Sequence, residues 1–141
     1  MKTAVYFDEL TLKNGQKIID MPVSKDFLLS IGYSEEEVNT LFGQQIAKEK
    51  KRELSQATDR YFYSQAKARG GYLNMGEILY DAQQGDPDAK FLKQLYDAIW
   101  AKEEELEAQL EQMSLEQLLE LDLEAWAKEA YDQVKAELES E

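Results

Sequence analysis

Histidine and cysteine are both absent from this 141-residue chain. Without cysteine there are no disulfides, no thiol nucleophile and no Cys-based zinc or iron–sulfur site. Without histidine there is no Ser-His-Asp or Cys-His machinery and no imidazole acid or base near neutral pH. Most transition-metal sites go with it. Carboxylates, lysines, arginines and tyrosines remain, with oxygen ligands for hard cations. A pair of carboxylates can still hydrolyse glycosides, so these absences count against an enzyme without forbidding one. The phosphate-binding patterns GxxxxGK[ST] and GxGxxG and the nucleophile elbow GxSxG are missing too. No stretch is apolar enough to suggest a membrane span. The opening segment carries Asp8 and Glu9 where a signal peptide is apolar. The expectation is therefore a protein neither secreted nor membrane-bound, with no cofactor, no metal and no small-molecule substrate.

Charge is present but uneven. Residues 1–70 hold 11 Lys+Arg against 10 Asp+Glu, and residues 71–141 hold 5 against 19. The second half, at −14, repels phosphate backbones and acidic membranes and favours basic protein surfaces. A solvated acidic helical surface explains the same charge more simply.

Hydrophobic residues make up 43% of the chain, enough for a modest core. The pattern predicts a mainly α fold, with a small N-terminal β-hairpin followed by long helices. These helices are expected to form a helical hairpin or bundle with coiled-coil-like seams. Residues 1–33 read as the hairpin and a short helix. Asn14-Gly15 supplies the positive φ of a two-residue turn, Pro22 ends the second strand, Ser24 caps the helix and Gly32 stops it. Residues 34–71 read as one long helix, opened by the capping box Ser34/Glu37 and closed by Gly70-Gly71, with Gly43 a point of bending or breakage. Val38, Phe42 and Ile46 share a face, and Leu54, Ala57, Tyr61 and Ser64 form a weak heptad seam.

Residues 72–113 read as a helical hairpin. Asn74 and Glu77 cap its first helix and Gly85 ends it. Asp86 is then an N-cap with Pro87 at the first helical position, which explains "DPD" without a metal ion. An EF-hand loop needs further oxygen ligands at alternate positions, and Lys90 and Leu92 stand there instead. The next helix carries the stripe Leu92, Leu95, Ile99, Leu106 and Met113, broadened by Phe91, Tyr96, Trp100 and Leu110. Residues 114–141 read as a C-terminal helix with the box Ser114/Gln117 and the stripe Leu119, Leu123, Trp126, Ala130, Val134 and Leu138. Asp122 offers an alternative fresh start after a corner near Leu121.

Three groups are candidates for contact with other molecules. Glu103, Glu107 and Glu111 share a helix face at i, i+4 spacing. A basic partner or hard cations would suit them, and a solvated face explains them as well. A di-iron bundle would require histidines that the chain lacks. Arg60, Tyr61, Tyr63 and Tyr72 belong to the one basic, aromatic zone, which could stack bases and meet phosphates. The net charge of −13 disfavours nucleic acid as a partner there. A protein contact, or docking onto the chain's own acidic half, fits better. Trp100 and Trp126 complete the set of candidate interaction residues. For an enzyme, Glu77, Asp81 and Asp97 would be the only sensible acid/base groups.

Residues 70–107 resemble a segment of small proteins of tailed phages and prophages encoded near tail and tail-fibre genes. Tyr72, Glu77, Tyr80, Asp86, Pro87, Ala89 and the run Tyr96-Asp97-Ala98-Ile99-Trp100 carry the likeness. It implies a non-enzymatic structural component of the tail apparatus, or its assembly factor, in the virion or the host bacterial cytoplasm. The implied partners are phage tail proteins; the narrow apolar seams of the helices separately suit a homo-oligomer. Within this block, Leu79 and Tyr80 are expected to pack on Leu92, Tyr96 and a largely buried Trp100. An acidic inhibitor that mimics DNA and fills a basic groove of a host protein is the alternative.

Overall fold

The computed structural model describes residues 4–141; the first three positions of the N-terminal segment lie outside the described residues. The fold is mainly α. Strands β1 (Ala4–Thr11) and β2 (Lys17–Ser24) are followed by helices α1 (Lys25–Ser30), α2 (Glu35–Gly70), α3 (Met75–Gln83), α4 (Pro87–Gln112), α5 (Leu115–Glu120) and α6 (Leu123–Glu139). These elements form two compact units. One comprises Met1–Glu49 with Glu111–Glu120, the other Lys50–Leu110 with Leu121–Glu141. Helices α2 and α4 contribute residues to both.

In the first unit, β1 and β2 pair antiparallel from Ala4↔Ser24 to Thr11↔Lys17, skipping Asp8 and Asp20. Asp20 has φ +57, a left-handed residue inside a strand. The side-chain alternation of β1 slips at the same level, because Val5 and Phe7 are buried, and then Leu10 and Leu12. The connection is not the two-residue turn expected. Leu12 N–H donates to Gln16 O at 2.8 Å and Gly15 N–H to Leu12 O at 2.9 Å, which leaves a three-residue loop. Only Gly15 of the Asn14-Gly15 pair has a positive φ. Asn14 instead accepts from Gln16 N–H at 2.9 Å through its side chain. Pro22 does not end β2 but lies inside it, opposite Tyr6. A strand with a single neighbour tolerates a residue that lacks an N–H.

Ser24 accepts from Phe27 N–H at 3.1 Å as the cap of α1. Gly32, at φ +101, follows its end. The Ser34/Glu37 box closes in both directions at 3.1 and 3.0 Å. Lys13 pairs with Glu37 at 2.7 Å and Lys25 with Glu35 at 2.5 Å, fastening the hairpin and α1 to the start of α2. Val38, Phe42 and Ile46 are buried as the pattern required, with Phe42 packed on Phe7 at 6.0 Å between ring centroids. Helix α2 runs unbroken through Gly43, where an added Cβ would reach only the Leu115 backbone N, at 4.0 Å.

The second unit is organised around Phe62, Ala66, Tyr72, Ile78, Ala89, Leu92, Leu95, Ile99, Tyr131 and Val134. Full burial of a Leu or Phe side chain here is worth roughly 1.5–3 kcal/mol. The buried line of α2 follows Leu54, Thr58, Phe62 and Ala66, rather than the Tyr61 and Ser64 of the expected seam; Ser64 is exposed. Asn74 and Asp86 cap α3 and α4, accepting from Glu77 N–H at 3.0 Å and Ala89 N–H at 2.9 Å. The Ser114/Gln117 box forms, and Asp122 caps a separate α6 by accepting from Ala125 N–H at 3.2 Å. The C-terminal segment is thus two helices, the fresh start having replaced the single rod.

Candidate protein-interaction surfaces

The largest departure from the sequence pattern concerns the block around "DPD". Trp100 is 56% exposed, Tyr80 63% and Leu79 41%. They are not the packed centre of the hairpin. Helix α3 turns Ile78 inward instead, one residue from Leu79, and α4 buries Ala89, Leu92, Leu95 and Ile99. Neighbouring helix residues differ by about 100° in direction. With Ile99 in the core, Trp100 points to the rim, held by its contact with Tyr96 at 6.2 Å between ring centroids.

Tyr72 goes the other way. By sequence it belongs with the surface candidates, but it is buried. Gly71, at φ +71, reverses the chain after α2, and Tyr72 N–H returns to Ala66 O at 3.2 Å. The ring then lies so close to Gly70 that an added Cβ would meet Tyr72 Cε2 at 2.5 Å. The hydroxyl donates to Asp81 at 2.6 Å, and this bond is the largest cause of its raised pKa.

The basic, aromatic zone docks onto the acidic C-terminal helix of its own unit. Both hydrogen bonds from Arg60 Nη2 reach the Glu124 carboxylate, at 2.8 and 2.9 Å. Tyr61 donates to the same group at 2.6 Å. That tyrosine bond, then the guanidinium, hold Glu124 below the usual carboxylate range. Tyr63 is half-buried, edge-on to Phe62 at 5.1 Å. Arg69 lies over the Phe91 ring at 3.7 Å and pairs with Asp88 at 3.2 Å. Arg60, Tyr61, Arg69 and Tyr72 are therefore each engaged inside the unit. Trp126 is partly buried.

The glutamate row divides. Glu111 is exposed, Glu107 partly buried and Glu103 half-buried. Thr58, itself buried, hydrogen-bonds to Glu103. Burial is the main cause that raises the Glu103 pKa, and the Thr58 bond opposes it. Tyr131, on the neighbouring stretch of α6, is pushed up to about 12, again chiefly by burial.

The possible acid/base carboxylates are each occupied locally. Glu77 accepts from the Asn74 side chain at 2.7 Å, Asp81 from Tyr72, and Asp97 pairs with Lys93 at 2.9 Å. A groove of about 370 Å³ does open between α3 and α4, but Leu79, Ala82, Gln83, Lys90, Lys93 and Gln94 line it, and none of the three carboxylates does. Among the described residues no cluster of three or more acids could hold a metal ion. No helix there is long and apolar enough to cross a membrane.

Sequence reasoning missed a second surface altogether. Ile19, Met21, Phe27, Leu29 and Ile31, large apolar residues of β2, α1 and the turn after it, are all exposed, Ile19 by 64%. Phe27 and Ile31 stand one helical turn apart. The signal was legible: the adjacent pairs Ile18-Ile19 in β2 and Leu28-Leu29 in α1, with Met21, Val23 and Phe27 beside them, put apolar side chains on more than the one face that such short elements can bury. No family model matches this chain, nor does any curated protein or solved structure.

Proposed function

We propose that the chain works without catalysis, through protein–protein contacts, as a structural component of a phage or prophage tail or as its assembly factor. The exposed apolar residues of β2 and α1 carry the reading. Large apolar residues left exposed so close together along the chain favour a site of association. The likeness of residues 70–107 to tail-associated proteins supplies the class of partner, a tail-structure protein. The test is co-purification from cells producing the phage or an induced prophage, with the recovered tail proteins identified. Wild type is expected to bring down a tail-structure protein, and Met21→Asp to lose it while melting like wild type. Recovery unaffected by Met21→Asp and Phe27→Asp would refute the reading.

The acidic-inhibitor alternative draws support from the second half of the chain. Four of its five lysines are paired with an acid on their own helix, which leaves acids in large surplus on its surface. Under that reading the captured protein is a DNA-processing enzyme, and salt releases it.

A further inference from the structure

The exposed face of α4 carries a knob and a hole. The knob is Trp100, 56% exposed. The hole is the groove of about 370 Å³ whose α4 wall is Lys90, Lys93 and Gln94 and whose α3 wall includes Leu79 and Ala82. Lys93 and Trp100 are seven residues apart, two helical turns, so they point the same way and are offset by ~10 Å along the axis. Asp97 lies between them. A two-fold axis beside Asp97 would lay a second α4 antiparallel on the first, and the indole of each copy would enter the groove of the other.

Charge fits the same geometry. Lys90 and Glu104 stand seven residues on either side of Asp97. Both are exposed, and among the described residues neither has an ion pair. The two-fold that seats Trp100 also sets Lys90 of each copy against Glu104 of the other. Asp97 would meet its own image at the axis, and each is already compensated by Lys93 at 2.9 Å. Lys93 also lines the groove that the indole would enter, and an aromatic ring attracts a cation placed over its face.

We propose that this face of α3 and α4 is a self-complementary interface, whose occupant is a second copy of the chain docked with Trp100 in the α3–α4 groove. The proposal rests on the reading of the chain as a protein-contact module and adds a different surface from the one on β2 and α1. A dimer would present two copies of that apolar surface to a tail partner. The charge of −13 on each copy opposes association at long range, but at ~0.15 M salt this repulsion is screened within about 8 Å.

The experiment is sedimentation equilibrium of the full chain near physiological salt, with light scattering as a second measure. Wild type is expected to dimerise. Trp100→Ala, Lys90→Glu and Glu104→Lys are each expected to weaken the dimer at least about tenfold, a loss of about 1.4 kcal/mol. Lys90→Glu combined with Glu104→Lys is expected to restore it, which a general loss of folding could not do. A chain that stays monomeric, or a dimer indifferent to Trp100→Ala and to the single charge changes, would overturn the proposal. A monomer that still captures a tail protein would sink this interface alone, and a dimer that captures none would sink only the tail assignment.

Discussion

The Tyr72 hydroxyl donates to Asp81 at 2.6 Å while its ring covers Gly70. One side chain thus closes the end of α2 and fastens it to α3. Tyr72→Phe keeps the packing and gives up the hydrogen bond, at an expected cost of about 1 kcal/mol. Gly70→Ala forces the ring away and should cost about 1–3 kcal/mol. Urea unfolding of both variants checks the pair; a neutral Gly70→Ala would contradict the close approach.

Trp100 and Phe62 should respond oppositely to truncation. Phe62 is 1% exposed in the core of the second unit, and Phe62→Ala is expected to cost ~3–5 kcal/mol. Trp100→Ala should change monomer stability by no more than about 0.5 kcal/mol. Both are read from chemical denaturation at low protein concentration, where self-association makes no contribution.

Glu103 makes stability depend on pH in the sense opposite to a surface carboxylate in an ion pair. Burial raises its folded pKa above the ordinary 4.5. Its stabilising contribution is therefore complete below pH ~4.5 and is lost as pH rises through the higher folded value. When protonated, Glu103 can donate to Thr58 while Thr58 donates to Leu54 O, 3.1 Å away. When ionised, it competes with that carbonyl for a single hydroxyl proton. Glu103→Gln, a permanent imitation of the protonated form, should raise the melting temperature at pH 7 and match wild type near pH 4. The gain should stay below about 1 kcal/mol, because solvent reaches half of the side chain.

Asp86 is the cap of α4. Asp86→Ala should cost about 1 kcal/mol. Calcium, magnesium and chelators should leave the melting temperature unchanged, since a bound ion would stabilise the fold by mass action.

The local grammar of this fold was legible because it is written in adjacent residues. Ser34 with Glu37, Asn74 with Glu77, Ser114 with Gln117, and Asp86 before Pro87 each satisfy orphan N–H groups of their own helix. No distant partner is needed, so these starts appear where the sequence placed them. The direction in which a helix faces is a different kind of fact. Phe91, Leu92, Leu95, Tyr96, Ile99 and Trp100 offer α4 an apolar band wider than its neighbours can cover. Whether Ile99 or Trp100 reaches the centre depends on Ile78, Ala66 and Val134, which come from other helices. Tyr72 was misplaced for a similar reason. Gly70-Gly71 announces a reversal but does not say which surface the next residue will meet. Met21 and Phe27 belong to short elements each of which, taken alone, reads as one that buries its apolar residues.

The most direct measurement is a titration of the purified chain against the tail-structure protein that co-purifies with it, followed by calorimetry across temperature and across salt concentration. Contact through the β2–α1 surface predicts a negative heat-capacity change and an affinity that moves less than about threefold between roughly 50 and 200 mM salt. Met21→Asp should abolish the heat. An affinity that collapses by orders of magnitude over that range, with Met21→Asp binding like wild type, would contradict the account and return the function to the acidic surface.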